Sequence, residues 1–134
     1  MNKTIGFSLL GVALTGVALS FIFRGGDIVP QVTVADQPII ASQITVSSVT
    51  AVAPSWLVIQ TETNGAPGPV IGYVKINKGE NKNVSVNVDT LKTTPKLFAM
   101  IHEDNGEKDK FDFPNNDMPL LYKGEMVSKL FMLK

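Results

Sequence analysis

From Ile5 to Phe23 the chain reads IGFSLLGVALTGVALSFIF, nineteen residues without a charge, with Lys3 before them and Arg24 after them. A helix of that length crosses a hydrocarbon layer of about 30 Å. Any water-exposed domain therefore has to be built from the residues beyond Arg24. The run predicts an uncleaved transmembrane anchor over residues 1–24. The alternative is a signal peptide, whose apolar stretch is usually about 7 to 15 residues and ends at a small-x-small site. Ala18-Leu19-Ser20 offers such a site, but the apolar run continues through Phe21, Ile22 and Phe23 before the first charge. The terminal amine and Lys3 precede the segment, and Arg24 is offset by Asp27 after it. The positive-inside rule and the short leading tail then put the C-terminal domain outside the cell membrane. Gly11 with Thr15, and Gly16 with Ser20, form small-xxx-small pairs, though such residues are common in membrane helices whether or not they pair.

Residues 25–30 combine glycines and a proline without apolar periodicity and read as a linker. Beyond them the period changes to two. In Lys82 to Asp89, Val84, Val86 and Val88 alternate with Ser85 and Asn87, as a half-buried strand requires. Runs rich in β-branched and aromatic residues also occur at Gln31 to Ala35, Gln43 to Val49, Trp56 to Thr61, Val70 to Ile76, Lys96 to His102 and Met126 to Leu133. Turn signals separate them: Ala53-Pro54-Ser55, the stretch from Asn64 to Pro69, Lys78-Gly79, Asn105-Gly106, the stretch from Pro114 to Asp117, and Lys123-Gly124. About seven short strands with regularly spaced turns predict, for residues 31–134, one all-β domain of immunoglobulin-like Greek-key sandwich type. A single domain of this size buries enough surface to fold without disulfides or a metal.

The chain has no cysteine, which removes thiolate nucleophiles, zinc ribbons, blue-copper sites and iron–sulfur clusters. Beyond Arg24 ten lysines face twelve acids, a net charge of −2. Nucleic-acid binding needs a strongly basic face, so it is disfavoured.

His102 is the single histidine and falls on the same strand face as Phe98 and Met100. The expectation is a hydrogen-bonded structural residue, because no second histidine and no nucleophile motif accompany it. Between Glu103 and Asp117 six carboxylates crowd together, and Asp104, Asp109, Asp112 and Asp117 are candidate calcium ligands of the hard-oxygen kind. Their spacing does not match a calcium-binding loop of the EF-hand type, and Asn105-Gly106 also reads as a hairpin turn with solvated flanks. Met100, Met118, Met126 and Met132 admit a copper reading, but methionines scattered in strands more often fill gaps in a core. Trp56 would stack on a glycan if exposed, and its place at the head of a strand favours the core. Asn83-Val84-Ser85 is a glycosylation sequon, with Asn83 expected to point outward because Val84 points in. Lys75, Lys78, Lys82, Lys92 and Lys96 bias one stretch positive, opposite in sign to the loop after His102.

VTVADQ at Val32 to Gln37, SWLVIQTETNGAPGPVIGYV at Ser55 to Val74, and LFAMIHEDNGEKDKFDFPNNDMPL at Leu97 to Leu120 resemble an uncharacterised extracellular domain family, found in surface proteins of halophilic archaea and of some bacteria. Gln60 stands where that family often has histidine, and the chain is lysine-rich where the family is strongly acidic, so salt adaptation is not implied. The resemblance implies a β-sandwich on the cell surface and carries no activity. The combined reading is a membrane-anchored surface module with a structural or protein-association role, without cofactor, and not an enzyme. Its partners would be the membrane and other surface proteins or copies of itself. The alternative is a ligand-binding domain that holds calcium or a small solute at loop 103–117, and an extracellular hydrolase ranks third.

Overall fold

The computed structural model describes residues 27–134, so the predicted anchor and the start of the linker lie outside the described residues. Residues 27–30 carry no regular structure and lead into nine strands: β1 (Gln31–Thr33), β2 (Gln43–Ala51), β3 (Ser55–Thr63), β4 (Ala66–Ile76), β5 (Gly79–Asn87), β6 (Lys96–Glu103), β7 (Leu121–Tyr122), β8 (Glu125–Met126) and β9 (Ser128–Met132). They form a four-stranded sheet in the order β9-β6-β3-β4, a three-stranded sheet in the order β1-β2-β5, and a small β7-β8 hairpin. Every pairing between these strands is antiparallel. A parallel bridge between Gln37 and Leu133 ties the segment after β1 to the end of β9.

The two larger sheets face one another as a β-sandwich. Ile44 and Val46 of β2 and Val86 of β5 meet Leu57 and Ile59 of β3, Leu97, Ala99 and Ile101 of β6, and Phe131 of β9 in one buried cluster. Burying each such aliphatic side chain contributes about 1.5–3 kcal/mol, which makes this layer the main source of stability. In β5 the expected alternation holds: Val84 and Val86 turn to the core, while Ser85 and Asn87 are exposed.

Three expectations about the strands need correction. The stretch from Asn64 to Pro69 is not all loop, because β4 begins at Ala66 and the turn is only Asn64-Gly65. Both turn residues have positive φ, 52° and 83°, as a two-residue hairpin of the type I′ kind requires. Strand irregularities at Ile59/Gln60 and Gln60/Glu62 let Pro67 and Pro69 sit in an edge strand without interrupting a central ladder. Asn105-Gly106 closes no hairpin. Instead, Glu103 donates its N–H to the Met118 carbonyl and Leu120 donates to Ile101, so that residues 104–117 form one long excursion with a paired base. Finally, Met126 to Leu133 is not a single strand: Met126 ends the β7-β8 hairpin, and β9 starts at Ser128. The Lys123-Gly124 turn makes that hairpin possible, again with two positive φ values, 53° and 83°.

Candidate functional site

β3 and β6 are buried on both faces. Their inward residues belong to the sandwich core, and on the outer face Trp56, Val58, Gln60, Phe98, Met100 and His102 are also buried. The register sets Trp56 opposite His102, Val58 opposite Met100 and Gln60 opposite Phe98. A second layer must therefore cover this face, and much of it comes from the excursion 104–117. Phe111 packs edge-on to Trp56 with ring centres 5.5 Å apart, stacks on Tyr73 at 4.5 Å, and lies 5.8 Å from the His102 ring. Phe113 meets His102 edge-on at 4.8 Å. Aromatic pairs in such geometries add about 0.5–1.5 kcal/mol to the burial itself.

Polar groups hold the excursion to the sheet at three points. Asp117, fully buried and in the left-handed region with φ 49°, accepts the Asn105 N–H on Oδ1 at 2.7 Å and the Asp112 N–H on Oδ2 at 2.6 Å. One carboxylate thus closes both ends of the loop. His102, also fully buried, places Nδ1 2.7 Å from the Asp117 carbonyl oxygen and Nε2 3.0 Å from Gln60 Oε1. Burial holds its pKa below the ordinary value, and the Asp117 carbonyl and carboxylate oppose that shift. On the other side Lys75 of β4 donates to Asp104 Oδ2 at 2.5 Å and to Asp109 Oδ1 at 2.6 Å, and its ammonium lies 5.0 Å from the Trp56 ring centre. The hydrogen bond from Lys75 lowers the Asp104 pKa, and the same two carboxylates raise that of Lys75. Among the described residues, buried Trp56 Nε1 and Asp104 Oδ1 find no hydrogen-bond partner. The indole N–H still faces the carboxylate and helps to hold its pKa down.

The sequence profile of a family described as a domain of unknown function (DUF7282) matches residues 30–132. The chain belongs to the DUF7282 family. The matched span contains every strand of the sandwich, together with the excursion that covers its outer face. Among curated proteins and among solved structures, none matches the chain.

Within this DUF7282 domain the candidate calcium ligands do not converge. Asp104 and Asp109 bind Lys75, Asp117 binds two backbone amides, and Asp112 accepts from the side chains of Asn115 and Asn116. Among the described residues no three His, Asp or Glu side chains are grouped to hold a metal ion. His102 sits on the face shared with Phe98 and Met100 and is engaged at both nitrogens. Trp56 is buried as its strand position implies, but in the outer layer and not in the sandwich core. Of the four methionines only Met100 fills interior space, while Met118, Met126 and Met132 are exposed. Asn83 is exposed, with φ 50°.

Sequence reasoning missed Tyr73, Phe111 and Phe113 as a cover, and it missed Lys75 as the counter-ion of Asp104. One signal for the cover was present. Trp56 to Ile59 and Leu97 to Ile101 are unbroken apolar runs, and a strand without alternation needs burial on both faces.

Proposed function

We propose that this DUF7282 domain is an immunoglobulin-like module, held at the outer face of a cell membrane, that serves a structural or protein-association role and does not catalyse a reaction. Its partners are other surface proteins or copies of itself. The membrane address rests on the uncharged run from Ile5 to Phe23 between Lys3 and Arg24. Sheet orders β1-β2-β5 and β9-β6-β3-β4, joined by the Gln37–Leu133 bridge, support an immunoglobulin-like arrangement of strands.

The observation that carries the association role is the edge strand β9. It pairs with β6 on one side; on the other, Asp36 and Gln37 hydrogen-bond its last residues and β1 lies alongside it without pairing. On the outer face it presents Leu130, 39% exposed, and Met132, 50% exposed. An edge strand with outward apolar side chains is a template for pairing with another chain. Asp104, Asp109, Asp112 and Asp117 of the excursion, by contrast, are engaged in holding the loop.

A photo-crosslinking amino acid at Leu130 of the full chain in its native membrane tests this reading. A discrete protein adduct from position 130, and none from the exposed Ser85 of β5, is expected. Absence of any adduct would count against association. The ligand-binding alternative would prevail if calcium, and not magnesium, raised the melting temperature by several degrees. A ligand at 100 times its dissociation constant stabilises by about 2.7 kcal/mol.

A further inference from the structure

The β7-β8 hairpin lies at one end of the sandwich, together with the start of the described chain. Gln31 pairs with Thr50, Ala51 with Gly79, and Ser55 with both Ile76 and Glu103, so residues 27–30, the turn after β2 and the turn before β5 share that end. Two shallow clefts connect them to the hairpin. One, of about 460 Å³, is lined by Asp27, Ile28, Val52, Lys78 and Tyr122. The other, of about 250 Å³, runs from Pro30 and Val32 to Tyr122 and Met126. The Asn64-Gly65 turn marks the opposite end.

Exposed apolar side chains occur at both ends of the sandwich, Ile40 and Leu91 at the far one, and five of them gather at this end. Leu121 is 61% exposed, Met126 opposite it 43%, Tyr122 36%, Val29 51% and Val52 38%. A two-stranded hairpin gains little from leaving such side chains in water. Lys78 and Lys123 stand at the same end, the latter with its ammonium 5.5 Å from the Tyr122 ring centre. Tyrosine flanked by lysines beside leucine and methionine is the side-chain mixture that membrane–water interfaces select, because an amphipathic ring and long cationic stems satisfy both phases.

Chain length supplies the occupant. From Arg24 to Ile28 there are five residues, which reach at most about 17 Å when extended. If the run ending at Phe23 spans a bilayer, Ile28 and the cleft it shares with Tyr122 cannot stand farther than that from the interface.

We propose that the Leu121–Met126 hairpin, with Val29 and Val52, docks on the lipid surface from which the chain emerges. The docking fixes the sandwich end-on, with the Asn64-Gly65 end outward. This inference rests on the membrane-anchor reading. Asp27, Glu80 and Glu125 outnumber Lys78 and Lys123 at this end, so apolar contact holds the hairpin and anionic lipid is not required.

The absence of cysteine makes the test direct, since Leu121→Cys introduces the only thiol. The full-length chain, labelled there with an environment-sensitive fluorophore, is reconstituted in phosphatidylcholine vesicles with and without phosphatidylglycerol. Lipids spin-labelled near the headgroup should quench the emission, because an interfacial apolar group sits only about 5–10 Å into the headgroup boundary. The loss should be equal in both compositions, and Asn64→Cys should show none. Vesicle flotation separates the two levels of failure. A chain that floats but is unquenched at position 121 overturns the docking and leaves the anchor intact. A blue-shifted but unquenched label means that protein covers the hairpin, and also overturns it. If the chain does not float, the anchor reading fails and the docking fails with it.

Discussion

Lys75 Nζ lies 2.5 Å from Oδ2 of Asp104, a carboxylate whose side chain is only 7% exposed. The contact joins the edge strand β4 to the first residue after β6, 29 positions away in sequence. Lys75→Met would leave that carboxylate buried without its counter-ion. The expected cost is about 1–3 kcal/mol in denaturant unfolding, and most of it should return in a Lys75→Met/Asp104→Leu double variant, which removes both charges. Because Trp56 is the only tryptophan, the single variant should also shift its emission to the red as the excursion loosens. The folded-state pKa of Asp104 is depressed, so the stability that the pair supplies is full above about pH 4 and is lost on further acidification, through the folded value.

Asp117 closes the base of the excursion with both carboxylate oxygens. Asparagine tolerates the same positive φ but offers only one side-chain acceptor, so one of the two amide donors would face an N–H. Asp117→Asn should destabilise the domain by about 2 kcal/mol. Hydrogen exchange should find the Asn105 and Asp112 amides exchanging faster, while the β3 and β6 amides keep most of their protection. Uniform loss of protection in all strands would show that the excursion and the sandwich unfold as one unit.

Both ring nitrogens of His102 face oxygens. The Gln60 amide is oriented by its own donation to the Gly68 carbonyl at 2.8 Å, which turns Oε1 toward Nε2. A neutral ring has one N–H and can satisfy one of the two oxygens, whereas the imidazolium satisfies both at the cost of a buried charge. Burial is the larger effect, so an NMR titration should give His102 a pKa below 6.5. Gln60→Met, which removes an acceptor that favours the charged form, should lower it further. Between the folded value and 6.5 the unfolded chain binds more protons, so stability should fall as the pH drops through that window. His102→Gln should abolish that slope.

The class of the domain and the position of most strands were legible locally. The alternation at Val84, Val86 and Val88 sets which face of β5 is buried, because successive side chains leave a strand on opposite sides whatever the rest of the chain does. The same rule put His102 with Phe98 and Met100, where the structure has it. What covers that face was not legible. Phe111 reaches Trp56 and Tyr73, and Lys75 reaches Asp104, across separations of tens of residues, with no local pattern to announce either contact. Asp117 looked like its acidic neighbours because a carboxylate that binds calcium and one that binds two amides are the same residue in sequence. The extent of β4 and the division of Met126 to Leu133 into a hairpin and a strand were likewise settled by pairing with distant partners. Hydrophobic period is a property of neighbouring residues, whereas the second layer and its ion pairs exist only once β3, β4 and β6 stand side by side.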